Sequence, residues 1–294
     1  MKPSVGVLYD RVRWEEKEIA SKLESRGAEA KMIDAKLLVL PLDASPVGGV
    51  PAIVLERCVS FYRGRNIASS LEARGIEVVN ESSVLDLCGN KLLTSQKLST
   101  NAIPTPRTIA AFSAEGAIRA IETIGFPCVM KPIVGSWGRQ VVPIRDNETA
   151  EALIEMREQQ GDSMQSIYYI QEMIKRPPRD IRCIVVGEEV VASVYRYASS
   201  ESWKTNVALG GRTEPCRLTP ELENIVLRTS KVVGGGILGI DLMERERGEI
   251  VVHEVNGTVE FKGAQSATTI SIADRMAEYA ISLSREKHMQ ELSA

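Results

Sequence analysis

The order of apolar runs predicts an α/β chain: a parallel-sheet α/β domain at the N-terminus, then a mixed α+β portion. Two observations carry this. Through about Asn80, short β-branched runs alternate with segments of helical apolar spacing, the signature of β-α-β units. Beyond Thr108 strands and helices continue to alternate, with a glycine-centred hairpin at Gly187 and a last pair of strands joined by "RERG". No G-x-G-x-x-G follows the first strand, so a doubly wound dinucleotide fold is disfavoured.

Element by element, "SVGVLYD" (4–10) reads as a buried strand, 15–27 as a helix stopped by glycine, and "EAKMID" and "AIVLER" as strands. "NIASSLEARGIEVVN" reads as helix, glycine stop and strand. A helix begins near Lys91 and ends before the proline-rich "NAIPTP", because a residue before proline is pushed out of the helical region. From Thr108 come a strand, the helix "SAEGAIRAIETIG", the strand "FPCVMKP", a glycine loop, the strand "QVVPIR", the helix "NETAEALIEMREQQ" and the strand "SIYYIQEMI". "RDIRCIVVGEEVVASVYRYA" is a hairpin turning at Gly187. A polar loop follows, then a helix over 220–233, the strands "GILGIDLME" and "EIVVHEVN" joined by "RERG", and a helix over 272–285. The expected boundaries are 1–88, 89–170 and 171–294.

Composition narrows the function classes. The 294 residues carry 36 basic and 39 acidic side chains, a net charge of −3, which argues against general nucleic-acid binding. No apolar run reaches the length of a membrane span, and "MKPSVGVLYDRVRWEE" turns charged too early for a signal peptide. The five cysteines (Cys58, Cys88, Cys128, Cys183, Cys216) are widely spaced and form no CxxC. They are expected to be reduced, mostly buried thiols of a cytoplasmic protein.

Three constellations bear chemistry. In the last hairpin Asp241 interrupts an apolar strand, while Glu254 and Asn256 sit two apart on its partner and share a face. If Glu244 pairs with Glu249, Asp241 faces Val252 and joins that face. Three oxygen donors then converge, a set suited to Mg²⁺, with an ordinary solvated sheet face as the alternative. Lys131 ends an apolar strand, and Arg182, Arg196, Lys204 and Asn206 lie in or after the first hairpin. Cations opposite a carboxylate pair are what a triphosphate and its metal require, although lysines and arginines usually sit on the surface. Finally, "GSWGR" (135–139) offers backbone donors that approach phosphate closely. Its strand–loop–strand setting excludes loops that open a helix, leaving a flap over phosphates or a plain hairpin turn.

Together and in this order, "CGNK", "KPIVGSWGR", "IQEMI", "RDIRCIVVGE", "NVALGG" and "EVNGTVEFK" resemble the ATP-grasp superfamily of carboxylate–amine ligases, in its RimK/LysX branch. The similarity spans nearly the whole chain, and implies an ATP-grasp fold behind an N-terminal pre-ATP-grasp domain. It implies ATP and two Mg²⁺ ions as cofactors. Lys91 and Lys131 would contact ATP, with Gly135, Ser136, Trp137, Gly138 and Arg139 as the flap. Gln171, Glu172, Met173 and Ile174 would form the adenine hinge. Arg182 and Asn206 would lie near the transferred phosphate and Arg196 near the substrate carboxylate, with Lys131, Arg182 and Arg196 as the catalytic set. Asp241, Glu254 and Asn256 would hold the metal. Val207, Ala208, Thr258, Glu260 and Phe261 would line the amino-acid pocket. Lys175 and Arg176 stand where many relatives carry an acidic ribose contact, so that contact stays unassigned.

The implied partner is a small acidic LysW-type amino-group carrier protein, and the second substrate an amino acid, α-aminoadipate or glutamate. An acidic ligase needs a local basic rim to receive such a carrier, with Arg57, Arg63, Arg65 and Arg212 as candidates. The implied reaction, in lysine or arginine biosynthesis, runs through an acyl phosphate on the C-terminal glutamate of the carrier. A RimK-like ligase adding glutamate to a ribosomal protein and a non-catalytic nucleotide-binding module are the more distant readings. A homo-oligomer is expected.

Overall fold

The computed structural model describes residues 2–43, 45, 47–135, 138–198 and 212–293, with the side chains of the last three of these left out. Among the described residues no helix is long and apolar enough to cross a membrane.

The first sheet is parallel, with strands β1 (Ser4–Tyr9), β2 (Glu29–Asp34), β3 (Ile53–Glu56) and β4 (Glu77–Val79) in the order β2-β1-β3-β4. Its connections include α1 (Trp14–Ser25) and α2 (Phe61–Glu72). Because the chain steps from β1 outward to β2 and then back to β3, the order reverses between β1 and β3. The crevice at the carboxyl ends of such a pair is where open α/β sheets place ligands. Asp10 and Arg13 follow β1 there, and Glu56 and Cys58 lie at the end of β3.

An unpredicted helix, α3 (Ser82–Gly89), comes next. The Gly89–Asn90 break hides it in the sequence. It starts where Ser82 donates its backbone N–H to Glu72 (2.6 Å), and it buries Val84 and Leu85. Helix α4 (Lys91–Thr100) follows at once, with the Asn90 side chain accepting the backbone N–H of Leu92 (3.0 Å) and Leu93 (3.3 Å).

The second sheet is antiparallel, ordered β5-β8-β6-β7, with β5 (Thr108–Ala111), β6 (Cys128–Lys131), β7 (Val142–Ile144) and β8 (Tyr168–Glu172). Ser113 and Asp146 cap α5 (Ala114–Ile124) and α6 (Asn147–Gln159), whose apolar stripes pack on the sheet around Ile121, Ile144 and Ile170.

A third, antiparallel sheet runs β11-β10-β9-β12-β13, from β9 (Arg179–Val186), β10 (Glu189–Tyr197), β11 (Thr213–Pro215), β12 (Ile237–Glu244) and β13 (Ile250–Asn256). Gly187 turns the first hairpin at φ +61°, a left-handed conformation that glycine adopts without strain. Helix α7 (Pro220–Val233) covers one face, and α8 (Lys262–Gln265) with α9 (Ile272–Ser293) covers the other. Strand β11 was not expected, because three polar-flanked residues carry no strand signal. The final helix runs past Arg285, where the apolar periodicity that marked it fades.

The register of the last hairpin differs from the expected one. Glu244 pairs with Ile250, and a bulge between Asp241 and Leu242 sets Asp241 opposite Glu254 rather than Val252. The expected facing survives for another reason: directly opposed residues share a face. The bulge leaves His253 unpaired and turns it toward the cleft beside Glu254, as bulges re-aim side chains.

Candidate active site

A cleft of about 1190 Å³ is lined by strand residues of the two antiparallel sheets and by residues that follow β1 and β3 of the parallel sheet, among them Arg13, Cys58 and Val59. Lys131, at the end of β6, projects into it from a fully apolar strand. Its Nζ donates to Gln171 Oε1 (2.5 Å) and lies 2.8 Å from His253 Nε2. Burial, reinforced by Lys91 and Arg176 and opposed by Glu254, brings the Lys131 ammonium down to about 7. Burial and the adjacent Lys131 also hold His253 well below the usual imidazole range, so the ring is neutral.

The side chain of Gln171 is therefore turned inward. Its amide also donates to Thr108 Oγ1 (2.9 Å) and to the Tyr169 hydroxyl (2.9 Å), which meets Ser95 Oγ at 2.7 Å. Of the expected hinge segment, Glu172, Met173 and Ile174 line the cleft with it. The Glu172 carboxylate takes the backbone N–H of Arg107 (2.7 Å) and the guanidinium of Arg245. That clamp ties the second sheet to the last hairpin. Lys175 is exposed, whereas Arg176 lines the cleft.

Lys91 opens α4 and reaches across the cleft mouth. Its Nζ donates to the Gly135 carbonyl (2.7 Å) and stands 3.4 Å from Glu254 Oε1. Gly135, Gly138 and Arg139 line the cleft. Ser136 and Trp137 fall outside the described residues, as do Lys204, Asn206, Val207 and Ala208.

Opposite these lysines lies the carboxylate face. Asp241 is gripped by Arg182 through both oxygens and by Arg196 Nη2 at 3.1 Å, and Arg196 in turn binds Asp180 by two 2.8 Å bonds. Burial alone would raise the Asp241 carboxyl, but Arg182 and Arg196 outweigh it and hold it at about 2. Asn256 donates weakly to Asp241 Oδ2 and to the Gly239 carbonyl, each at 3.4 Å. Asp241, Glu254 and Asn256 thus share one face. Their donors, two carboxylates and an amide, fit Mg²⁺, which takes few protein oxygens and completes its shell with water and phosphate. Among the described residues no cluster of three His, Cys, Asp or Glu forms a tighter metal cage.

Of the described residues of the expected amino-acid pocket, Arg196, Thr258 and Glu260 line the cleft and Phe261 does not. Thr258 lines the cleft and donates its hydroxyl to Glu56 Oε2 (2.7 Å). Glu260 reaches Arg13 at 3.0 Å. Phe261, however, is fully buried against Trp14 in the core and is not a lining residue: the turn before α8 points it inward. Arg57 departs from its expected place on a basic rim. It is 3% exposed and faces Glu16 at 3.4 Å beneath Arg13. Arg63 pairs with Asp10, Arg65 with Asp86, and Arg212, 68% exposed, with Glu214.

His253 lines the cleft without a sequence signal, because strand alternation would send it away from Glu254's face. Asn80, just past β4, lies outside the cleft lining but supports it. Its side chain accepts the backbone N–H of Ile237 (2.7 Å) and donates to the carbonyls of Ile237 (2.7 Å) and Gly257, pinning the start of β12 and the exit of β13 to the first sheet.

Comparison with known proteins covers most of the chain. Residues 5–87 match the LysX preATP-grasp domain and residues 88–280 the RimK-like ATP-grasp domain. A glutamate–LysW ligase ArgX of Sulfolobus acidocaldarius is 37% identical, covering 94% of this chain and 97% of its own. An α-aminoadipate–LysW ligase LysX of Sulfurisphaera tokodaii is 35% identical, covering 92% and 95%. Among solved structures, a RimK domain ATP-grasp protein of Sphaerobacter thermophilus superposes with a TM-score of 0.75 at 25% identity, over 95% of this chain and 99% of that one.

Proposed function

The chain belongs to the RimK-like ATP-grasp family of ATP-dependent carbon–nitrogen ligases, and from that premise we propose that it loads an amino acid onto a LysW-type carrier protein. The α-amine of α-aminoadipate would be joined to the side-chain carboxylate of the carrier's C-terminal glutamate. The observation that carries the reading is the cleft itself: lysines from two elements stand with a carboxylate pair, beside Thr258, in a chain that is similar over more than nine-tenths of its length to LysW ligases. Glutamate is the second reading, favoured by the ArgX relative's identity of 37% against 35% for the LysX relative. The two amino acids differ by one methylene, which a pocket separates by only about 1–3 kcal/mol.

The chemistry takes two steps. The carrier carboxylate attacks the γ-phosphorus of ATP, and ADP leaves. The amine then attacks the acyl phosphate carbon, the new C–N bond forms, and phosphate departs. Asp241, Glu254 and Asn256 would hold Mg²⁺, which would supply charge neutralisation for the phosphates. Lys131 and Lys91 bind the phosphate oxygens from the opposite wall. Arg182 would stabilise the charge spreading over the transferred phosphoryl group, and Arg196 would meet the substrate carboxylate. Gly135, Gly138 and Arg139, which line the cleft, would help to keep water from the acyl phosphate. No protein nucleophile is required: burial pushes the Cys88 and Cys183 thiols up to about 12, which leaves them unreactive.

The test is an ATP-dependent ligation in which α-aminoadipate and glutamate compete for one LysW-type carrier, with the product read by mass. The expected product is carrier plus α-aminoadipate. A majority of glutamate adduct selects the second reading, and no ATP-dependent adduct refutes both.

A further inference from the structure

Glu56 ends β3 with a buried carboxylate to which the two-step reading assigns no task. Its Oε1 accepts the Cys58 backbone N–H (2.6 Å) and its Oε2 the Thr258 hydroxyl (2.7 Å). Among the described residues no cation pairs with it. Arg57, next in the chain, turns to Glu16, Arg13 is held by Glu16 and Glu260, and Arg63 is engaged by Asp10. The berth is built for the carboxylate: a Cβ on Gly64 of α2 would run into it. A buried carboxylate without a cation is costly, and burial accordingly raises Glu56 above the ordinary range.

Thr258 connects this carboxylate to the cleft. It lies two residues beyond Asn256, in a turn pinned by Asn80 through the Gly257 carbonyl. A hydroxyl has one hydrogen, and that of Thr258 is committed to Glu56, so its lone pairs are left to receive a donor from the cleft.

Resting on the ligase reading above, we infer that the Thr258–Glu56 pair receives the ammonium group of the incoming amino acid and takes the proton it must lose before attack. The ammonium N–H passes its proton to Thr258 Oγ1 as the Thr258 hydroxyl passes its own to Glu56 Oε2. This leaves a neutral amine and a protonated Glu56. The amine lone pair forms the C–N bond, the C–O bond to phosphate breaks with its electrons, and the second nitrogen proton leaves with the phosphate. Glu56 returns its proton through Thr258 once the product has gone. Glu56 is thus a positioning residue acting through Thr258, placed at the crevice between β1 and β3 where the sheet order reverses.

Hydroxylamine separates this role from a structural one, because at neutral pH it attacks an acyl phosphate as a free amine with no ammonium proton to shed. Wild-type protein, ATP and a LysW-type carrier are incubated with amino acid or with hydroxylamine, and amide and hydroxamate are quantified by mass. In Glu56→Gln the ratio of amide to hydroxamate is expected to fall about 100-fold or more, in the range of a lost acid–base group. Thr258→Val should reproduce that fall and Thr258→Ser should restore the ratio. Proportional loss of amide and hydroxamate in both Glu56→Gln and Thr258→Val overturns the inference, as does an unchanged ratio. Carrier-dependent hydroxamate from the wild type sustains the ligase reading whatever Glu56 does. Its absence overturns that reading and this one with it.

Discussion

Binding of the nucleotide should take up a proton at Lys131. In the free protein burial brings this ammonium from an ordinary 10.5 down to about 7, because the cleft offers it Gln171 and a neutral His253 in place of water. At about 1.4 kcal/mol per pH unit, remaining charged costs the free protein about 5 kcal/mol. A triphosphate removes the reason for that cost by placing anions against Nζ. At pH 8 roughly a tenth of the free protein carries the proton, and nearly all of the complex does, so about 0.9 proton enters on binding. The assay is calorimetric titration with a non-hydrolysable ATP analogue at pH 8, in two buffers of different ionisation enthalpy. The slope of heat against that enthalpy gives the proton count. Lys131→Arg, which stays charged, should abolish the slope. Equal heats in both buffers for the wild type would refute the reasoning. The free protein checks the sign: between pH 7 and 10.5 the unfolded chain holds the Lys131 proton and the folded one does not. Stability from this group therefore rises with pH through that window, and Lys131→Met should raise Tm at pH 7 but not above pH 10.5.

Four further outcomes are expected. Asn80→Ala removes three buried hydrogen bonds and should cost about 3 kcal/mol in urea unfolding at about 1 kcal/mol per bond. Gly236→Ala should also destabilise, because the new Cβ would run into Asn80 Oδ1 and Gly236 sits at φ +89°. The Asp241→Ala, Glu254→Ala double variant should lose ATP-dependent amide formation by at least about 100-fold while still folding, checked by mass and circular dichroism; retained amide formation would remove the metal assignment. Arg212→Glu, at an exposed position beside Tyr197, should slow carrier association several-fold at low salt and make no difference at about 1 M salt, measured by surface plasmon resonance.

Most of the framework was legible because its signals are local. Alternating runs gave the parallel strands, glycine gave the Gly187 turn, and a carboxylate inside the apolar run of β12 marked Asp241. What escaped was non-local. His253 reaches the cleft only because β13 bulges against β12, and no residue of the strand announces the bulge. Glu56 and Arg57 are adjacent charges at a strand end, a pattern that ordinarily lies on the surface. Both are buried because Thr258 and Glu16 come from elsewhere to meet them. Phe261 follows a functional-looking motif, yet its burial is decided by Trp14, some 250 residues earlier in the chain.

The same pairings bear on how the cleft tolerates its own charge. Asp241 holds two arginines and Glu254 a lysine, so the carboxylates proposed to hold the metal are already neutralised by side chains. Each of these cations is also one that a phosphate would attract. Under the proposed metal assignment, Arg182 and Lys91 would exchange a carboxylate for a phosphate oxygen when nucleotide and metal enter together, and the carboxylates would be left to hold the metal. The number of paired charges is kept, and no buried ion is stranded at either end of the exchange, which is the condition under which buried ion pairs are not prohibitive. Metal alone would have to displace Arg182 from a bidentate grip, and nucleotide alone would leave Asp241 with less compensation. Binding of the two is therefore expected to be cooperative: an ATP analogue should tighten Mg²⁺ binding in Asp241-containing protein, and Asp241→Asn should abolish that coupling, with independent binding in the wild type as the result that would refute the exchange.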